Sequence, residues 1–320
     1  MTRIAALFAL LVFSAAVAAQ SYPNRPVKVI VPWTPGQATD IAARVVAQKL
    51  QDAFGQAFVI DNKPGAGGAI GSDAVAKSAP DGYTLLAASS GPLSIMPNLQ
   101  KVPYDPLTDL APISLVAATP FALVVHPSFP ANNAKEFIAL VKANPGKYTF
   151  SSSGTGATAH LFTELFNSMA GIEARHVPYK GSSPAITDII NGQITYTVET
   201  VAATVGHIKS GRLKTFGVST ARRTGAMPDV PPLAETAGLP GYDVAAWIGY
   251  AAPGGTPRDI LARISTEIQK ALRSEELKER MVNVGLDPVS STPDEMAAFM
   301  RREQDRYATI IRNANIRIEQ

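Results

Sequence analysis

The sequence predicts an α/β protein of two lobes with a cleft between them, and two observations support this prediction. Short apolar strand patterns alternate with helical patterns along most of the 320 residues, as in parallel sheets whose strands are joined by helices. Two long extended runs, at 110–127 and 241–257, interrupt the alternation. We interpret them as two hinge crossings between lobes, because the chain is long enough for two domains of roughly 100–200 residues.

The first lobe is predicted to comprise residues 20–118 and 245–320. It opens with the strand pattern VKVIVP at 27–32, a turn that contains Pro and Gly, and a helical pattern that ends at Gly55. Two more strands follow, each leading into a glycine-containing turn. Because strand, turn and helix repeat in this order, we expect a parallel arrangement.

The second lobe is predicted to comprise residues 119–244, in which four helical patterns alternate with four strand patterns. After the second crossing, the chain ends in three amphipathic helical patterns. Ser274 and Thr292 occupy the expected N-cap positions of the last two, and Glu295 follows Thr292 at the spacing of a capping box.

The first 19 residues are predicted to be a secretory signal peptide. Arg3 precedes the apolar run IAALFALLVF, and SAAVAAQ then offers small residues for cleavage, in the order that export signals require. The apolar run is too short to span a membrane stably, and no later run reaches the roughly 18 apolar residues of a membrane helix. We therefore expect the mature protein to be soluble and exported.

The composition excludes several classes of site. The chain has no cysteine, four scattered histidines and no H-E-x-x-H motif, so we expect no metal site and no cofactor. The net charge is +3 with dispersed basic residues, which gives no basis for nucleic-acid binding. No Walker lysine motif and no G-x-S-x-G elbow occurs, which argues against nucleotide hydrolysis and serine hydrolase chemistry.

The turn after the first strand is a candidate site for an anion. A loop from the carboxyl end of a parallel strand into a helix presents main-chain N–H groups and the positive end of the helix dipole. Gly36 permits close approach and Thr39 adds a hydroxyl, while we expect Asp40 to cap the helix. A plain connecting turn remains the alternative.

The stretch SSSGTGATAH at 151–160 repeats this arrangement in the second lobe, because hydroxyls and glycines again lie between a strand and a helix. PGAGGAIG at 64–71 is interpreted as close packing, since Ile70 occupies the third glycine position of a dinucleotide fingerprint.

Glu199, at a strand end, either meets the ligand or is an exposed loop acid. Trp33 and Trp247 belong either to the cleft wall or to the core, and Ser89, at the end of the third strand, is a further candidate contact.

Seven blocks in order resemble the substrate-binding proteins of tripartite tricarboxylate transporters, the Bug or TctC family. They are YPNRPVKVIVPWTPGQATD, VIDNKPGAGGAIGSDAVAKSAPDGYTLL, PYDPLTDLAPISL, SSGTGATAHLFTELF, HVPYKGSSPAITDIINGQ, HIKSGRLKTFGVST and WIGYAAPGGTP. The resemblance implies a two-lobed type II periplasmic binding protein, a Venus flytrap. It also implies delivery of a small organic carboxylate to the permease subunits of such a transporter, by a protein that we expect to be monomeric.

The resemblance also implies which residues hold the carboxylate, mainly through backbone amides in the first lobe and through hydroxyls and amides in the second. The corresponding positions here are Thr34, Gly36, Gln37, Ala38, Thr39, Ser152, Ser153, Thr155, Gly156 and Thr158. The family loop usually reads Pro-Pro-Gly-Gly, whereas this chain has Thr-Pro-Gly-Gln at 34–37. The side chain of Gln37 is therefore expected to add a hydrogen bond or to narrow the pocket.

The function predicted from the sequence is binding without catalysis. An anionic ligand docks on the amides of one lobe, and closure of the hinge brings the hydroxyls of the other lobe to it. The alternative is an enzyme that acts on a small carboxylic acid in the same cleft. Ser153 with His160 is the candidate pair for such chemistry.

Overall fold

The computed structural model describes residues 22–313. The predicted signal peptide lies outside the described residues. Within them, two mixed β-sheets are covered by helices, which confirms the predicted α/β class. In chain order the strands are β1 (Val27–Val31), β2 (Phe58–Asn62), β3 (Thr84–Ser89), β4 (Leu110–Thr119), β5 (Phe121–Val125), β6 (Thr149–Ser152), β7 (Arg175–Pro178), β8 (Tyr196–Thr200), β9 (Lys214–Val218), β10 (Ala246–Pro253) and β11 (Asp287–Pro288).

Helices join and cover these strands. A 3-10 turn at Ala66–Gly68 and a π-helical turn at Gly91–Ile95 accompany the α-helices. In chain order the α-helices are α1 (Ala38–Phe54), α2 (Ala69–Ala76), α3 (Met96–Leu99), α4 (Ala134–Lys142), α5 (Thr158–Ala170), α6 (Ser182–Ile190), α7 (Val201–Lys209), α8 (Leu233–Thr236), α9 (Arg258–Arg273), α10 (Glu275–Asn283) and α11 (Pro293–Asn313).

The six-stranded sheet has the order β11-β4-β10-β3-β1-β2. Strands β2, β1 and β3 are parallel, and β10 is antiparallel to both β3 and β4. Alternate residues of β1 enter different cores: Val29 packs with α1 and α9, and Ile30 packs with α2 and α11. Burial on both faces explains why this strand is an almost continuous apolar run.

The five-stranded sheet has the order β7-β6-β8-β5-β9. Strands β7, β6 and β8 are parallel, whereas β5 is antiparallel to β8 and β9. Helices α4 and α5 supply the aromatic core on one face, and α6 and α7 supply an aliphatic core on the other. In both sheets the parallel strands end at turns into helices, and these turns carry the candidate site residues.

The chain passes between the sheets at the predicted crossings. Strand β4 belongs to the first sheet and β5 to the second, and Pro120 alone separates them. The return runs through 219–245 into β10. The lobe boundaries drawn from the sequence stay a prediction.

The last helix contacts both lobes. Met296 and Met300 of α11 lie in a core of the first lobe, whereas Tyr307 and Ile311 pack in the aromatic core of the second. Tyr307 stacks on Phe162 of α5 with 6.3 Å between ring centroids. Helix α11 is therefore a third physical connection between the lobes, in addition to the two strand crossings.

Of the two helix N-caps predicted from the sequence, the structure contains one and lacks the capping hydrogen bond of the other. At α11 the amide of Thr292 donates to Glu295 Oε2 at 2.8 Å, and the amide of Glu295 donates to Thr292 Oγ1 at 3.3 Å, which is the predicted capping box. Ser274 does precede α10, but its side chain makes no capping hydrogen bond. None of the helices described here, all within 22–313, is long and apolar enough to cross a membrane.

Candidate functional site

The turn that joins β1 to α1 has free amides at its end. Gln37 is the N-cap residue, in an extended conformation, and its side chain does not cap the helix. The amides of Ala38, Thr39 and Asp40 lie in the first helical turn, where an α-helix offers no internal acceptor. This end of α1 can therefore receive an acceptor group from outside the helix, and it carries the positive end of the dipole.

Asp40 stabilises this turn, although it is not the capping residue that the sequence suggests. Its carboxylate accepts the amide of Gly36 at 2.9 Å, the Nε of Arg44 at 3.0 Å and the Nδ2 of Asn62 at 2.9 Å. Burial opposes ionisation, but these hydrogen bonds outweigh it and lower the pKa of Asp40. The negative charge is therefore neutralised locally, and the amide of Gly36 is already occupied.

The turn that joins β6 to α5 divides its polar groups between two tasks. Ser152 Oγ lies 2.7 Å from His176 Nε2 and donates to the carbonyl of Gly154 at 3.0 Å. The amide of Gly156 donates to His160 Nδ1 at 3.2 Å. These contacts hold the turn together, whereas Ser153 and Thr158 lie at the cavity described next.

A cavity lies between the two lobes, at the ends of β1, β3, β8 and β10. Its volume is about 40 Å³, well below the roughly 300–1,000 Å³ that small-molecule sites have, which is consistent with lobes that are closed on each other. We call it the central cavity. It is lined by Trp33, Gln37, Ala38, Thr39, Ser89, Ser90, Thr119, Phe121, Ser153, Thr158, Ala159, Ser182, Glu199, Thr200, Ala246, Trp247 and Ile248.

Eight of the thirteen candidate residues line the central cavity: Trp33, Gln37, Ala38, Thr39, Ser89, Ser153, Thr158 and Glu199. Thr34 and Thr155 line a second cavity of about 400 Å³, beside the glycine turn at 64–68, which Trp33 and Ser153 also reach. Gly36, Ser152 and Gly156 line neither. Contact of any of these residues with a ligand stays a prediction.

The lobes touch through polar side chains at the central cavity. Gln37 Nε2 donates to Ser182 Oγ of the second lobe at 2.8 Å, and the hydroxyls of Ser90 and Thr158 lie 3.4 Å apart. A Cβ added to Gly181 would lie 2.2 Å from Thr34 Oγ1. The lobes are therefore in close contact around the cavity, in the geometry expected of a closed cleft.

Two tryptophans belong to the wall of the central cavity and are also buried. Trp33 Nε1 donates to Ser89 Oγ at 2.9 Å. Trp247 packs edge-on to Phe299 of α11, and its Nε1 is a buried donor without a partner. Cavity wall and core are thus not exclusive for these side chains.

The charge pattern of the lining is simple. Glu199 is the ionisable side chain among the lining residues, which include no Lys, Arg or His. Burial raises the pKa of Glu199, and hydrogen bonds from Thr200 and Ser182 counteract only part of that effect. The exposed-acid alternative for Glu199 is therefore wrong, since the side chain is 2% exposed.

The candidate pair for the enzyme alternative does not come together. His160 Nδ1 accepts the amide of Gly156, and no hydrogen bond joins His160 to Ser153 among the described residues. Burial, with His176 nearby, lowers the pKa of His160 to about 3, and burial lowers that of His176 to about 4. Within 22–313, no group of three or more His, Cys, Asp or Glu could hold a metal ion.

Comparison with known proteins places the chain in a family. Residues 42–316 match the family described as "Tripartite tricarboxylate transporter family receptor". The chain belongs to this family. It is 39% identical to Protein BugT of Bordetella pertussis over 328 aligned positions, which span 100% of this chain and 99% of BugT.

Solved structures agree with the family and the fold of this receptor. One is "R. palustris Rpa4515 with adipate", at 34% identity and a TM-score of 0.90, covering 92% of this chain and 99% of that one. Another is periplasmic binding protein BugD, at 33% identity and a TM-score of 0.88, covering 93% of this chain and all of BugD. The predicted two-lobed periplasmic binding protein fold is confirmed.

Sequence reasoning missed several residues of this receptor's central cavity, among them Ser90, Thr119, Ser182 and Thr200. Ser182 offered a signal, because YKGSSPA places glycine and serines between a strand and a helix, as in the two turns that were identified. The glycines at 64–71 do pack closely, as expected. A Cβ on Gly71 would lie 2.8 Å from the Cα of Pro32.

Proposed function

We propose that this receptor captures a small organic carboxylate in its central cavity, in the periplasm, and delivers it to the permease of a tripartite tricarboxylate transporter. One observation carries the proposal: the cavity joins both lobes and is lined by hydroxyls and the amino end of α1, without a basic side chain. Amides and hydroxyls bind a carboxylate through hydrogen bonds and the helix dipole.

The contacts across the cleft support a binding mechanism that includes closure. The hydrogen bond from Gln37 to Ser182 and the approach of Ser90 to Thr158 join residues of different lobes. Such contacts form only in the closed state, so they stabilise that state in addition to the contacts that the ligand makes with both lobes. Ligand and closure therefore stabilise each other, and the closed form would be the one presented to the permease.

The comparisons support the ligand class and the destination. Rpa4515, a protein of the same fold and 34% identity, holds adipate in its solved structure, and adipate is a carboxylate. The family description names a transporter receptor, which supports transport rather than catalysis.

Native mass spectrometry of the purified mature protein tests the proposal, because a ligand enclosed between two lobes can survive purification. We expect a bound acid, released on denaturation and displaced by excess of a competing organic acid in calorimetry. Turnover of that acid by the purified protein would contradict the proposal, as would a panel of organic acids that all fail to bind.

A further inference from the structure

Glu199 occupies an unusual position in the central cavity. It is the penultimate residue of β8 in the second lobe, and Ala122 of β5 lies opposite it in the sheet. Its side chain is 2% exposed although it is a carboxyl group. Among the residues that line the central cavity, Glu199 is the one with an ionisable side chain.

One oxygen of this carboxyl has protein partners, and the other has none. The amide of Thr200 donates to Glu199 Oε1 at 2.8 Å, and the hydroxyls of Ser182 and Thr200 lie close enough to the carboxyl to lower its pKa. Oε2 is buried without a partner. Because a buried polar atom without a partner costs free energy, it is a place where a ligand group gains affinity.

The protonation state of Glu199 decides what Oε2 can bind. An ionised carboxylate in a buried site needs a cation or several donors, and the lining supplies no cation. Burial raises its pKa. An uncharged carboxylic acid with its carbonyl oxygen toward Thr200 would present an O–H donor at Oε2.

We propose that Glu199 is a specificity-determining residue that, as an uncharged acid, donates a hydrogen bond from Oε2 to a second oxygen group of the ligand. The inference rests on the proposed function, in which the amino end of α1 holds the ligand's first carboxylate. It narrows the ligand class to dicarboxylates and to acids with a remote oxo or hydroxyl group. A simple monocarboxylate leaves Oε2 without a partner.

Other titrating groups surround β8 but are separate from the cavity lining. On the helices around the cavity they are Asp40 and Arg44 of α1, His160 and Glu164 of α5, Asp188 of α6, and His207 and Lys209 of α7. Asp40 and Arg44 pair with each other, and Tyr179 donates to Asp188. The carboxyl of Glu199 therefore has the ligand as its remaining potential partner.

Three six-carbon probes distinguish the possible roles: adipate, hexanoate and 6-aminohexanoate, which differ in the group at the remote end. We expect the wild-type protein to bind adipate at least about tenfold more tightly than hexanoate. A tenfold difference in affinity corresponds to one hydrogen bond between Glu199 and the charged second carboxylate of adipate. The affinity for adipate should fall once the pH is high enough to ionise Glu199, because ionisation removes the donor and repels the second carboxylate.

Two variants complete the test. Glu199→Gln keeps a donor where Oε2 lies, so it should retain the preference for adipate within about threefold and lose the pH dependence. Glu199→Leu should lose the preference for adipate while still binding hexanoate. Thermal unfolding of each variant checks that it is folded.

Results that contradict the role of Glu199 can be distinguished from results that contradict carboxylate binding itself. Tighter binding of 6-aminohexanoate, abolished in Glu199→Gln, would mean that Glu199 acts as an anion and would overturn the inference. Wild-type preferences in both variants would overturn it as well, while leaving carboxylate binding intact. If neither six-carbon acid nor the corresponding succinate and butyrate binds the wild-type protein, the proposed function fails and the inference fails with it.

Discussion

At the scale of single residues, the two candidate turns, from β1 to α1 and from β6 to α5, contain polar side chains with different tasks. Asp40 and Ser152 hold their own turns in shape, whereas Thr39 and Thr158 lie at the central cavity. A polar turn residue is therefore not a ligand contact merely because it lies in the right turn. Its hydrogen-bond partners decide which of the two tasks it performs.

Thr158→Ala tests this distinction. The Thr158 hydroxyl lies 3.4 Å from Ser90 Oγ and borders the central cavity, so its removal should weaken binding of adipate by about 3- to 10-fold, the value of one hydrogen bond. Thr155→Ala is the matched control, because Thr155 borders the second cavity instead. Calorimetry with the two variants checks the prediction, and equal losses of affinity would contradict it.

Gln37 is, with Thr34, one of the two positions at which this chain differs from the loop expected for the family, and its side chain bridges the lobes. Loss of the 2.8 Å hydrogen bond to Ser182 should speed ligand dissociation by about 2- to 10-fold. Helix α1 should keep its stability in Gln37→Ala, because this side chain makes no capping bond. Stopped-flow dissociation of Gln37→Ala, Ser182→Ala and the double variant measures the coupling. Strictly additive effects would mean that the bond contributes nothing.

At the scale of elements, the sequence predicted a strand, helix or cap correctly wherever a local residue pattern alone determines that element. The β-branched run at 27–32 predicted β1, the helical spacing of apolar residues after it predicted α1, and the spacing of Thr292 and Glu295 predicted the capping box of α11. It could not predict that Ser152 bonds His176, because that partner lies on β7, 24 residues away. Which turn residues face the cavity depends on such distant partners, so the sequence identified the turns better than the individual contacts.

The stacked pair His160 and His176 joins α5 to β7, with 4.0 Å between ring centroids. In the folded state their pKa values are lowered to about 3 and about 4, whereas histidine in an unfolded chain titrates near 6.5. The unfolded chain therefore takes up protons first as the pH falls. This pair stabilises the fold above about pH 6.5, and we expect its contribution to be lost as the pH falls toward 4.

Urea unfolding at pH 7.5, 6, 5 and 4 measures this effect. His176→Gln should show a smaller loss of unfolding free energy over this range than the wild-type protein, because fewer buried imidazoles must be protonated. His126→Gln is the control, because it removes a histidine that lies outside the stacked pair and bonds the nearby Ser128. A wild-type profile in His176→Gln would contradict the prediction.

At the scale of the whole molecule, the lobes are connected by more than a hinge. Two strand crossings link the sheets, α11 packs in a core of each lobe, and polar side chains meet across the cavity. The crossings and α11 limit how the lobes can move, while the contacts at the cavity can break. Opening should therefore separate the two candidate turns and leave the packing of α11 in place.

Gly181→Ala tests whether closure controls affinity. Gly181 lies at the start of α6 with φ +128°, and a Cβ there would meet Thr34 Oγ1 of the opposite lobe at 2.2 Å. Because the opposing atoms belong to the other lobe, the clash is relieved by incomplete closure rather than by unfolding. We expect weaker binding of adipate and, in small-angle X-ray scattering, a larger radius of gyration than the wild-type protein at saturating adipate.

Two further variants separate closure from backbone strain. Gly192→Ala checks the general effect of replacing a glycine at positive φ: its φ of +72° lies in the left-handed helical region, which strains Ala less than the +128° of Gly181, and no atom lies within 4 Å of the added Cβ, so its affinity should stay near that of the wild-type protein. Thr34→Ala added to Gly181→Ala removes the hydroxyl and methyl closest to the new Cβ and should restore part of the affinity. No recovery in this double variant would mean that backbone strain at position 181, and not the clash with the other lobe, weakens binding. If Gly192→Ala loses as much affinity as Gly181→Ala, strain in the second lobe explains the loss. Closure would then not be what limits binding.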